Sequence, residues 1–73
     1  MSQRTIVIYP GRFQPMGKHH YETYKWACRK YGKENVYITT SGKIQEGRSP
    51  LSFEDKSNII NLHGVPYSNI IQA

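Results

Sequence analysis

Residues 5–20 confine the fold more tightly than any other part of this 73-residue chain. Thr5-Ile6-Val7-Ile8-Tyr9 is β-branched and apolar without polar alternation, which predicts a parallel strand over residues 4–9 buried on both faces. Pro10-Gly11-Arg12-Phe13-Gln14-Pro15-Met16-Gly17-Lys18 then breaks the run. Its two prolines fix the path, and its two glycines permit positive φ and close backbone approach to a ligand. From His19 to Tyr31 the residues His20, Tyr21, Tyr24, Ala27, Cys28 and Tyr31 form one stripe at the helical period, and Gly32 stops it. Strand, glycine turn and helix in this order make a place for phosphate. The first N–H groups of the helix have no partner within it, and its dipole favours negative charge there. Arg12 and Lys18 add fixed positive charge, and His20 can hydrogen-bond a phosphoryl oxygen.

The rest of the chain repeats the alternation. Residues 35–40 (Asn-Val-Tyr-Ile-Thr-Thr) predict a second strand. With the first strand and helix they make a right-handed βαβ unit and a parallel sheet. Ser41 to Pro50 is polar and reads as a loop leaving the carboxyl end of that strand. Ser52-Phe53-Glu54-Asp55 has the form of a capping box opening a second helix, with Ile59, Ile60 and Leu62 as its apolar surface. Gly64 and Pro66 end it, and Asn69-Ile70-Ile71-Gln72 begins a third strand. Trp26 is out of pattern. It falls opposite Tyr24, on the face of Glu22, Arg29 and Lys30, and is therefore either laid flat on the surface or covered by another segment.

Charge and cysteine usage narrow the class. The net charge of +5 favours acidic partners such as nucleotide phosphates. Lone Cys28 excludes an internal disulfide and suits a reducing cytoplasm. No apolar run reaches membrane-spanning length. In an open parallel α/β sheet, ligands bind outside the carboxyl ends of the strands. Both glycine loops lie at that end, carrying Arg12, Lys18, His19, Lys43 and Arg48. A polyphosphate placed there meets main-chain donors, a helix start and several cations, enough to stabilise charge in nucleotidyl transfer. No activated nucleophile accompanies them. Adjacent His19 and His20 point about 100° apart on a helix, which disfavours a metal site built on the pair.

Gly11-Arg12-Phe13-Gln14-Pro15, followed five residues later by His20, resembles the HxGH nucleotidyltransferase superfamily, most closely the nicotinamide mononucleotide adenylyltransferases. A second stretch agrees in order and spacing. Ser41-Gly42-Lys43 followed by Ser49-Pro50-Leu51-Ser52 is similar to the family's serine-bearing loop and its Asn-Pro-Phe-Thr entry to the next helix. The resemblance implies a three-layer, Rossmann-like α/β fold, of which residues 1–73 are one partial domain: β-α-β-α and the start of a third strand, the carboxyl-terminal half absent. It implies transfer of AMP from ATP to a phosphorylated nucleotide acceptor, a step of NAD biosynthesis, with release of pyrophosphate. Mg²⁺ would arrive with ATP, since no carboxylate cluster is evident to hold it. By the same resemblance His20 is the catalytic residue at the triphosphate. Gly11, Arg12, Phe13, Lys18, His20, Ser41 and Arg48 form the nucleotide-binding set, with no protein metal ligands. The family's first motif histidine falls on Gly17 and its motif glycine on His19. Its later Ser-Ser-Thr-x-x-Arg segment is not in these residues, which implies a homo-oligomer or completion by a missing half. The competing reading is a non-catalytic nucleotide-binding or assembly module of the same fold. A basic nucleic-acid binder ranks last, because the cations sit in glycine loops rather than along one helix face.

Overall fold

The computed structural model describes residues 5–42 and 51–73, so Lys43, Arg48 and the loop expected at 43–50 lie outside the described residues. Along the chain come β1 (Val7–Pro10), α1 (Lys18–Tyr31), a 3-10 turn (Lys33–Asn35), β2 (Val36–Thr40), α2 (Phe53–His63), a second 3-10 turn (Tyr67–Asn69) and β3 (Ile70–Gln72). The strands form one parallel sheet in the order β1-β2-β3, Val7 opposite Val36 and Ile38 opposite Ile70. The protein is thus mixed α/β with a three-stranded parallel sheet and two helices, as its alternating pattern predicts. No helix among the described residues is long and apolar enough to cross a membrane.

Strand parity decides where the core sits. Val36 and Ile38 of β2 are fully buried and pack with Ile70 of β3, with Tyr24 and Ala27 of α1, and with Ile60 of α2. Two crossovers of the same hand stepping in the same direction place both helices on one face of a sheet. No described helix covers the other face. This corrects the expectation for the first strand: Ile6 is 45% and Ile8 52% exposed, while Val7 and Tyr9 turn toward the core. An edge strand without a helix layer behind it has only one buried side, whatever its sequence suggests. The described elements accordingly make two layers rather than three.

Helix ends follow local chemistry. Ser52 Oγ accepts from Asp55 N–H at 3.1 Å, and Asp55 Oδ2 accepts from Ser52 N–H at a long 3.5 Å, so the capping box forms with its reciprocal arm stretched. Ser52→Ala should cost about 1 kcal/mol, read as a lower urea midpoint with an unchanged slope. Gly64 ends α2 at φ 120°, where its missing Cβ leaves room for the Tyr21 hydroxyl. One apolar expectation fails here. Leu62 is 84% exposed because the core-facing side of α2 is set by Lys56, Ser57 and Ile60. Trp26 takes the first of its two alternatives among the described residues: it is exposed, with the Lys30 ammonium 5.2 Å from its ring centroid.

Asn69 joins the two ends of the fold. It is buried just before β3 and donates to the carbonyls of Lys33 and Val36 at 3.1 and 2.7 Å. One amide side chain therefore satisfies two carbonyl groups at the entry to β2 and fixes where β3 begins.

Candidate functional site

The turn between β1 and α1 stands at the carboxyl end of the sheet, anchored by main-chain and side-chain bonds. Gly11 N–H donates to Thr39 O at 3.1 Å, and Thr40 Oγ1 donates to Arg12 O at 3.0 Å. The end of β2 thereby holds the turn at two successive residues. Phe13 takes φ 49°, and the Gln14–Pro15 peptide is cis. The left-handed residue is thus Phe13 rather than a glycine; Gly17 is extended at φ −94°. Gly11 is needed for another reason: a Cβ there would lie 2.9 Å from the Phe13 ring.

Phe13 is buried, edge-on to Tyr9 at 5.5 Å and to His20 at 5.3 Å. Its ring is therefore part of the core beneath the turn and not of the turn's surface. Gln14 Oε1 accepts from Leu51 N–H at 3.3 Å and ties the turn to the entry of α2. The buried Gln14 Nε2 has no hydrogen-bond partner among the described residues.

His20 occupies the third position of α1. Its Nδ1 accepts from Gly17 N–H at 2.9 Å, which is one arm of a capping box; Gly17 has no side chain to supply the other. A ring that accepts at Nδ1 carries its proton on Nε2. Burial, with His19 beside it, holds the His20 pKa below its ordinary 6.5. At neutral pH the group is therefore an uncharged donor rather than a cation. The His19 and His20 ring centroids lie 4.2 Å apart, so the two rings converge at the start of α1 where simple helical spacing predicts that they diverge. Among the described residues no group of three or more His, Cys, Asp or Glu could hold a metal ion.

Of the nucleotide-binding set read from the sequence, Gly11, Arg12, Phe13, Lys18, His20 and Ser41 all lie at the carboxyl end of β1 and β2, and Arg48 is outside the described residues. Arg12, Lys18 and Ser41 are exposed. Two residues that local pattern does not reveal belong to this end. His63 Nε2 lies 3.1 Å from Met16 O, and its ring stacks on Tyr21 at 5.4 Å, so the last turn of α2 braces the turn before α1. Lys56, fully buried, donates from Nζ to Ser41 O at 2.7 Å. Both contacts join residues distant in sequence, and in a helix as polar as α2 a lysine and a histidine give no local hint of them.

No family model, no curated protein and no solved structure matches this chain.

Proposed function

We propose that this chain carries the ATP-binding elements of a Rossmann-like, HxGH-type adenylyltransferase that moves AMP from ATP to a phosphorylated nucleotide of the nicotinamide mononucleotide kind. The supporting observation is the state of His20. It sits at the start of α1 with Nδ1 engaged by Gly17 N–H, leaving a neutral Nε2–H as its remaining donor. A neutral donor aimed at phosphate strengthens its hydrogen bond as negative charge builds, without a strong ground-state ion pair.

In the reaction an oxygen of the acceptor's phosphate attacks the α-phosphorus of ATP. The bond from that phosphorus to the α,β-bridging oxygen breaks in line, and pyrophosphate leaves with its magnesium. The protein's share is positioning and charge stabilisation. Main-chain groups of Gly11, Arg12 and Phe13 line the α-phosphate side, His20 and Lys18 meet the triphosphate, and Ser41 borders the acceptor, with Arg48 completing the set. Gly17, where the family has a histidine, contributes through the N–H that orients His20. Mg²⁺ enters as part of the substrate.

The test is pyrophosphate release by the full chain given MgATP and nicotinamide mononucleotide. Release that requires both substrates supports the reading. ATP binding without release favours the non-catalytic module, for which the exposed Ile6, Ile8 and Trp26 speak. Absence of ATP binding overturns both.

A further inference from the structure

Lys56 is the largest fully buried side chain among the described residues, at 1% exposure. A buried ammonium is normally paired with a carboxylate, because removing an ion from water is costly without an opposite charge. No described carboxylate pairs with this one. Its hydrogen bond goes to a neutral carbonyl, Ser41 O, one residue beyond the end of β2. Asp55, the acid next to it in sequence, is turned to the Ser52 cap.

The neighbouring charge has the same sign. Arg12 is held at the same strand end, its carbonyl bonded by Thr40. Burial first, and Arg12 second, press the Lys56 pKa below its ordinary 10.5. Two cations, buried Lys56 and exposed Arg12, are therefore held at the carboxyl ends of β1 and β2 through the successive residues Thr40 and Ser41. Such an arrangement is unfavourable in the free protein and becomes favourable when an anion of high charge settles in front of Arg12.

We infer that Lys56 is a positioning residue of the phosphate site: clamped to Ser41 O near Arg12, it sets the field and loop geometry that select a multiply charged phosphate chain over a single phosphate. This rests on the polyphosphate reading above and goes beyond it by assigning the selectivity to a side chain that the ligand does not touch. The buried ammonium contributes most to the binding energy of ligands of highest charge, since its Coulomb interaction scales with the charge it meets.

Calorimetric titration of the full chain with inorganic tripolyphosphate and, separately, with orthophosphate tests it. Lys56→Met keeps most of the side-chain stem and removes the ammonium with its charge and its bond to Ser41 O. The expected result is tripolyphosphate binding weakened about tenfold, equivalent to about 1.4 kcal/mol, with orthophosphate weakened far less, so that the preference between them narrows. Equal weakening of both anions, or no weakening alongside a lower melting temperature, would show a structural clamp only and overturn the inference while leaving the polyphosphate reading intact.

Lys56→Arg restores the positive charge and should recover the preference. A Lys56→Arg chain that folds and binds tripolyphosphate without that preference counts against the role. Should Lys56→Met fail to fold, the wild-type Lys56 ε-methylene resonance, titrated with pH, gives the answer. Tripolyphosphate should move its pKa upward, and an unmoved pKa at saturating anion overturns the role. If the wild-type chain binds no tripolyphosphate, the polyphosphate reading fails and this inference fails with it.

Discussion

Replacing Ile38 by alanine should remove most of the chain's stability at 25 °C. Ile38 is fully buried at the middle of the central strand, with Tyr9 beside it on β1 and Ile70 beside it on β3. Truncating such a residue costs about 2–5 kcal/mol, through lost transfer free energy and the cavity left behind. A domain gains roughly 0.05–0.15 kcal/mol of stability per residue, which for 73 residues is roughly 4–11 kcal/mol in total. A sheet covered on one side belongs at the lower end of that span, so the substitution removes most of the margin. Ile38→Val should cost only about 0.5–1.5 kcal/mol, and Ile8→Ala, on the open face, about 0.5 kcal/mol or less. Urea denaturation followed by circular dichroism would rank the three. Similar losses for Ile8→Ala and Ile38→Ala would contradict the assignment of the buried face.

His20→Ala should reduce pyrophosphate release by about 10²–10³-fold, the usual effect of removing one preorganised donor from a developing oxyanion. Two further variants separate its roles. Asparagine can offer an acceptor near the Nδ1 position to Gly17 N–H but does not reach where Nε2 lies. His20→Asn should therefore keep most of the stability and lose the activity. His20→Gln, the usual residue at this place in a capping box, can accept from Gly17 N–H through Oε1 or turn its amide outward but not both at once, so it should keep most of the stability and only a small part of the rate. Activity that tracks melting temperature across the three variants would reduce His20 to a helix cap.

The same ring gives a pH dependence with a definite sign. The pKa of His20 is lower in the folded protein than its ordinary 6.5, so the unfolded chain takes up the proton first as pH falls. Its contribution is thus fully present above about 6.5 and is lost as pH falls through the lower folded value. Burial first, and His19 beside it, disfavour the imidazolium, and a protonated Nδ1 also gives up its bond from Gly17 N–H. The His20→Ala chain should show a shallower decline in stability across this range.

Much of the fold was legible because its determinants are local. The β-branched runs at 6–9 and 36–40, the Ser52 and Asp55 pair, and the glycines at 32 and 64 each act within a few residues. Burial was less legible. Ile8 and Leu62 look like core residues, and nothing in their own neighbourhood tells that both helices share one face. The turn was read correctly as a turn, but its backbone was not. Side-chain packing of Phe13 between Tyr9 and His20 placed the positive φ on the aromatic residue. Lys56 and His63 could not be read at all. Their partners, Ser41 and Met16, lie 15 and 47 residues away, and only the assembled sheet brings each pair together.

The bare side of the sheet leaves its mark on the thermodynamics of the whole chain. Ile6, Ile8 and Ile71 already touch water in the folded state, so denaturation newly wets less hydrocarbon than it would in a sheet sandwiched between helices. The heat-capacity increment of unfolding is correspondingly small, and the plot of stability against temperature is broad and shallow rather than sharply domed.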